Sequence, residues 1–452
     1  MLITNAALAD GREADVRVSG ESIAAVGDLD PEREEDVIEA EGNLLLPGMV
    51  DVHVHFREPG HPDKETWSSG SQSAAAGGVT TVVDQPNTDP PTVSGEAFDE
   101  KVELAAPSCV DYGINGGVTP DWDPDSLFDR PLFALGEVFL ADSTGNMGIE
   151  ADLFESALRR ATDEGVTVTV HAEDADRFDE SVLPSSTGNA SGDEPRARDR
   201  GDEDYDAWSA YRPPEAELAA IERACEVAED VGARIHVAHT STPEGADVAS
   251  EAGMSTEVTP HHLFLSRDDL DDLGTFGRMN PPLRSEERRE ALWERLVDGT
   301  VDIVATDHAP HTRLEKDRSV WEAPSGVPGV ETALPLLLNA AREGDIGYER
   351  VRDVTAANPA ERFGLDRKGR IETGRDADLV LVDPESARPI HGPDLHSRCG
   401  WSPFETFEGV FPEWTMVRGR FVYHETGTGA TGTGGPDTVF REGVGRNVRA
   451  SE

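Results

Sequence analysis

The chain has 452 residues, with 90 Asp and Glu against 40 Lys and Arg, a formal charge of −50 at pH 7. So acidic a balance repels nucleic acid and anionic membrane surfaces, and with no apolar run near the ~18 residues of a membrane span it excludes both as partners. Three cysteines (Cys109, Cys225, Cys399), odd in number and far apart, exclude a disulfide framework. They suit a reducing cytosol, and the N-terminal residues show no signal-peptide pattern, so a cytoplasmic protein is expected.

In chain order, residues 2–46 are strand-rich, as are 370–423. These flanks are expected to pair into one small β-sandwich, with residues 47–369 inserted between them as a separate domain. Within the insert, residues 50–56 form the first strand-like run, with His53 and His55 two apart on one face. Further runs lie at 80–85, 112–118, 133–140, 166–170, 234–238, 255–259 and 301–305, most of them separated by amphipathic helical stretches such as 153–163, 215–231 and 286–296. Eight strands alternating with helices, with polar residues at the strands' carboxyl ends, predict a TIM (β/α)8 barrel with its site at that face. Residues 184–206 read as a solvated loop or insertion, and 424–452, rich in Gly and Thr, as a mobile tail.

The strand ends supply His53, His55, Glu137, His171, His239 and Asp307. A catalytic zinc takes three protein ligands and a water, so six ligand-capable groups exceed one ion's need. They suit two divalent ions sharing a bridging carboxylate. Nitrogen and oxygen ligands without cysteine favour Zn²⁺, Co²⁺ or Mn²⁺, zinc first. Arg57 continues the His53–His55 face and can offer a bidentate fork to a carboxylate.

Several motifs are similar to those of one family: residues 53–60 (His-Val-His-Phe-Arg-Glu-Pro-Gly), 64–66 (Lys-Glu-Thr), 77–81, 86–88 (Pro-Asn-Thr), 280–284 (Asn-Pro-Pro-Leu-Arg) and 307–311 (Asp-His-Ala-Pro-His). From about residue 2 to 423 the chain resembles the type I dihydroorotases of the amidohydrolase superfamily. Arg57 and the 86–88 motif separate that family from hydantoinases, dihydropyrimidinases and allantoinases. The resemblance implies reversible cyclisation of N-carbamoyl-L-aspartate to (S)-dihydroorotate and water, in de novo pyrimidine synthesis. It implies a nucleophilic hydroxide held by both metals and Asp307 as proton shuttle. For the substrate it implies contacts from His55, Arg57, Asn87, Asn280, His311, Ser325 and Gly326, with Arg57, Asn87 and His311 clamping the carboxylate. It also leaves room for a homo-oligomer and for association with aspartate transcarbamoylase. Some family members are metal-free scaffolds for that partner, but here all six ligand positions are filled.

One position departs from the family. Many amidohydrolases bridge their metals with a carboxylated lysine on the fourth strand, where this chain has Glu137. A carboxylate offers the same two-oxygen head, so Glu137 is expected to bridge without CO₂, with Asp142 the less suitable substitute. None of the four lysines (Lys64, Lys101, Lys316, Lys368) lies on a strand suited to bridging. His236, three residues before His239, is expected on the opposite strand face, packed on a helix. His261 and His262 read either as groups behind the ligands or as structural donors. Few lysines and dispersed acidic groups resemble halophilic proteins, whose charge answers to a salty solvent.

Overall fold

The computed structural model describes residues 1–140, 147–184, 204–424 and 439–450. Five strands come from the N-terminal flank: β1 (Leu2–Leu8), β2 (Glu13–Ser19), β3 (Ser22–Gly27), β4 (Val37–Glu39) and β5 (Leu44–Pro47). Eight follow: β6 (Met49–Val54), β7 (Val79–Asp84), β8 (Asp111–Ile114), β9 (Leu135–Phe139), β10 (Val168–His171), β11 (Ile235–Val237), β12 (Ser255–Val258) and β13 (Ile303–Val304). Each falls on one of the eight runs expected from the sequence. The last four are β14 (Leu379–Pro389), β15 (Glu408–Val417), β16 (Arg420–His424) and β17 (Val439–Phe440).

Strands β6–β8 form one parallel sheet and β9–β13 another. Isolated parallel bridges join them at two places, Gly116 to Leu135 and Val54 to His308. Helices connect the strands, and the helix Ala151–Glu164 shows how. Phe154, Ala157, Leu158 and Ala161 recur at helical spacing and are its buried residues. Burying its larger side chains gains roughly 1.5–3 kcal/mol each. Gly165, at φ +70°, ends the helix in the left-handed region that glycine enters without strain, and β10 begins three residues later.

The two flanks share a nine-stranded sheet in which β5 pairs antiparallel with β14, Leu45 opposite Leu381. Alternation gives it two apolar faces. Leu44, Leu46, Val380 and Val382 join the cluster beneath the parallel strands, while Leu45, Leu379, Leu381, Trp414 and Met416 pack with Ile3 and Val16.

The mobile tail expected after residue 423 is not what 439–450 form. Val439–Phe440 pairs with β16, Val448 donates its N–H to Tyr112 O, and Arg446 binds Glu21 across 2.7 Å. Buried Val444 and the Phe440 ring against His396 and Tyr423 anchor a segment whose Gly and Thr content upstream conceals them. Residues 185–203, most of the expected insertion, lie outside the described residues, as do 425–438 and Asp142. Among the described residues no helix is long and apolar enough to cross a membrane.

Candidate metal and substrate site

The carboxyl ends of the parallel strands bring all twelve expected residues to one place. His53, on β6, is 2% exposed. Its Nδ1 lies 2.6 Å from Glu257 Oε1 of β12, so Nδ1–H donates there. Its Nε2 faces Glu137 Oε2 at 3.5 Å and Asp307 Oδ1 at 3.6 Å and has no hydrogen-bond partner among the described residues. His55 directs Nδ1 at Asn87 Oδ1 (2.6 Å) and Nε2 at Asp307 Oδ1 (2.9 Å). Glu137 Oε1 meets His239 Nε2 at 2.5 Å and His171 Nδ1 at 2.9 Å, while His171 Nε2 binds Glu173.

Two ligand groups emerge, His53–His55–Asp307 and His53–Glu137–His239, with every member buried. Ligand atoms each about 2.1 Å from a tetrahedral ion stand roughly 3.4 Å apart, and the spacings around His53 Nε2 match this. The Glu137–His239 contact is tighter and reads as a hydrogen bond. An imidazole whose far nitrogen is held by a carboxylate or amide is oriented for a metal, as His53, His55 and His171 are. The donor set therefore fits divalent cations. The electrostatics agree. Burial opposes ionisation of Glu137, but the His239 and His53 charges and bonds from His171 and His239 hold it well below the carboxylate range. Burial likewise opposes a charged His53, yet Glu257 and Glu137 raise it well above the usual value. The centre draws positive charge.

Local backbone sets these positions. His239 and Asp307 sit at φ +32° and +46°, left-handed conformations costly for such residues. At Gly136 a Cβ would fall 2.3 Å from Thr169 O, so only glycine lets β9 approach β10 and carry Glu137 inward. The turn at His239 also overturns the reading of His236. Strand alternation breaks there, so both histidines face inward, and His236 Nε2 lies 2.9 Å from Glu257 Oε2. Glu257 thus joins His236 to His53.

Above the ligands is a pocket lined by His55, Arg57, Asn87, Glu137, Phe139, His171, His239, Asn280, Asp307, Ala309, Ser325 and Gly326. Arg57 is 8% exposed, donates from Nε to Pro310 O, and has no carboxylate partner among the described residues. Its Nη2 is 3.2 Å from His311 Nε2. Burial, then Arg57, Lys316 and Lys64, hold His311 well below the usual histidine range, so it is neutral. Lys64 Nζ lies 3.4 Å from its Nδ1, and the ring Nε2 lies 3.0 Å from Ser325 O. His311, expected as the third donor of the carboxylate clamp, thus stands beside Arg57 at the pocket wall. Gly326 lines the pocket, but its N–H donates to Arg278 O and its carbonyl accepts from Lys316. His262 bonds Pro281 O and Thr259, a structural role, whereas His261 Nε2 has no hydrogen-bond partner among the described residues.

Sequence reading missed the groups behind this site. Glu173 binds both His171 and the buried Arg212. Gln85 Oε1 accepts the Glu137 N–H. Asp84 accepts the Phe56 N–H at 2.7 Å with one oxygen and binds Lys101 Nζ at 2.6 Å with the other, both residues fully buried. Only Glu173, two residues after a ligand, left a signal in the sequence.

Comparison with known proteins agrees with this geometry. Residues 42–245 match the family described as dihydro-orotase-like, and 205–422 the amidohydrolase family. The chain is 66% identical to dihydroorotase of Halobacterium salinarum, covering 93% of this chain and 96% of the relative. It is 42% identical to dihydroorotase of Methanosarcina acetivorans, over 98% and 94%. Among solved structures, L-hydantoinase of Arthrobacter aurescens superposes with a TM-score of 0.87 at 28% identity, over 98% of each chain. With buried ligands on parallel strand ends and relatives this close along nearly its full length, the chain belongs to the dihydroorotase family of amidohydrolases.

Proposed function

We propose that the chain is a cytoplasmic enzyme that interconverts N-carbamoyl-L-aspartate and (S)-dihydroorotate plus water through two divalent metal ions, zinc by preference. The observation that carries the substrate choice is Arg57, a buried guanidinium at the pocket wall without a carboxylate partner among the described residues. An anionic ring substrate completes it, and a neutral cyclic amide does not. In this reading the eight parallel strands close into a (β/α)8 barrel spanning 47–369. The flanks 2–46 and 370–423 fold over their own apolar cluster as a β-sandwich.

His53, His55 and Asp307 would hold one ion, His171 and His239 the other, and Glu137 both. Bound there, such ions polarise a carbonyl and lower the pKa of water from 15.7 to roughly 7. Arg57 binds the substrate carboxylate. Asn87, its Oδ1 committed to His55, offers its NH₂ to the same group. In ring opening Asp307 accepts the attacking water's proton and delivers it to the departing ring nitrogen. In closure it accepts the ureido proton.

Initial rates for dihydroorotate, dihydrouracil and hydantoin test the reading. Dihydroorotate should lead, and Arg57→Lys should lower its kcat/KM steeply by losing the fork. Asp307→Asn should keep metal and lose roughly 10²-fold or more in turnover. Preference for dihydrouracil in the unmodified protein would refute it.

A further inference from the structure

We propose that Lys316 is a positioning residue for substrate recognition, its ammonium pinning the backbone of Ser325 and Gly326 at the pocket wall. This rests on the reading of Ser325 and Gly326 as substrate contacts. Lys316 ends the helix Arg313–Lys316 and is fully buried. Its Nζ lies 2.9 Å from Arg278 O, 2.9 Å from Pro324 O and 3.1 Å from Gly326 O. Two of those carbonyls flank Ser325, and the third belongs to the connection between β12 and β13. The lysine backbone is held in turn, because Thr275 Oγ1 donates to Lys316 O at 2.6 Å.

The other three lysines meet carboxylates: Lys64 at Glu315, Lys101 at Asp84, Lys368 at Asp111 and Asp378. Lys316 has no carboxylate partner among the described residues, and backbone oxygens receive it instead. Burial and the Arg278 charge weaken its hold on a proton. The geometry opposes them. An ammonium has three N–H donors, and losing one would turn a lone pair toward one of three converging carbonyls. An apolar side chain would fill the same space without burying a charge. What the ammonium adds is direction. Pro324 O and Gly326 O are drawn to Nζ, and the Gly326 N–H donates to Arg278 O. Those three bonds fix three consecutive peptide planes, and so the stretch of backbone that lines the pocket. Gly326 sits at φ +128°, open to glycine and strained for other residues, which lets its carbonyl turn inward.

The test uses the metal-loaded full chain in molar NaCl, with dihydroorotate kinetics and amide hydrogen exchange for Lys316→Ala. Exchange at Ser325 and Gly326 should speed by about tenfold or more, while strands β6–β13 stay within about threefold of wild type. KM should rise about tenfold with kcat within about twofold, since a wall contact serves ground and transition states alike. Added ammonium chloride should bring KM back toward wild type, because NH₄⁺ offers donors to the same carbonyls. Tetramethylammonium chloride at equal concentration has no N–H and should not. Unchanged exchange would overturn the clamp itself. Faster exchange with a wild-type KM would instead overturn the substrate-contact reading, and the proposal with it. A KM that responds equally to both salts, or to neither, would show lost packing and overturn the role of the ammonium. Should Lys316→Ala fail to fold, Thr275→Val gives an independent answer. It releases the lysine backbone with little change of volume, so exchange at Ser325 and Gly326 and KM should each rise about threefold. Wild-type values there would also overturn the proposal.

Discussion

Replacing Lys101 with methionine should destabilise the protein far more than its distance from the pocket suggests, and a second substitution should reverse most of the loss. Lys101 Nζ is 2.6 Å from Asp84 Oδ2 and 2.8 Å from Gln85 O, with no exposure at either charged residue. At that 2.6 Å separation an effective dielectric of ~20 gives about 6 kcal/mol of attraction. Burial nevertheless pushes Asp84 up and Lys101 down against that attraction, so desolvation outweighs it. The ionised pair is thus no net source of stability, but half a pair is a liability. Lys101→Met strands the Asp84 carboxylate in an apolar setting at a cost of about 3–5 kcal/mol. Adding Asp84→Asn removes the stranded charge and keeps an oxygen for the Phe56 N–H, so the double variant should return to within about 1 kcal/mol of wild type. Urea unfolding of the metal-loaded proteins at molar KCl, followed by tryptophan fluorescence, measures all three. Activity should follow the same pattern, because Asp84 holds the backbone between His55 and Arg57. A double variant as unstable as the sum of its parts, or a Lys101→Met protein with a wild-type midpoint, would refute the reasoning.

Glu137→Ala should lose at least one metal ion per chain by elemental analysis, and wild-type reconstitution should not depend on bicarbonate; full occupancy in Glu137→Ala would transfer the bridging role elsewhere. The thermal midpoint should rise with KCl to molar concentration, where the Debye length is about 3 Å, because screening relieves repulsion among 90 acidic groups. A flat or falling midpoint would remove the halophilic reading. Burial pushes the thiols of Cys109, Cys225 and Cys399 up to about 11. At pH 8 they are therefore protonated, and the native protein should resist a disulfide reagent until it is unfolded.

The strands and their terminal histidines were legible because a metal site needs rare residue types at strand ends, and period-two alternation is visible over short windows. What stood behind the ligands was not legible. Glu257 belongs to His53 across 204 residues, and within β12 it reads only as a polar residue in a strand. Lys101 and Asp84 are closer in sequence, but nothing in a helix and a strand announces that their charges meet in the core. His236 was misplaced for a physical reason: alternation assumes extended backbone, and the left-handed turn at His239 breaks it. The anchoring of 439–450 was hidden because three or four contact-making residues follow a long polar stretch.

The pairing of β5 with β14 has a consequence for how the protein comes into being. Residues 44–47 leave the ribosome early, while their partners at 379–382 are made roughly 330 residues later. At about 5–20 residues per second, that strand edge stays unpaired for tens of seconds of synthesis. The four residues Leu44–Pro47 are apolar and buried in the finished sheet, which makes them a point where a nascent chain can pair wrongly. The acidic groups at Glu32, Glu34, Glu35, Asp36, Glu39 and Glu41 lie just ahead of it and repel a second copy during that wait. Charge that tunes the finished protein to brine thus also guards the unfinished one.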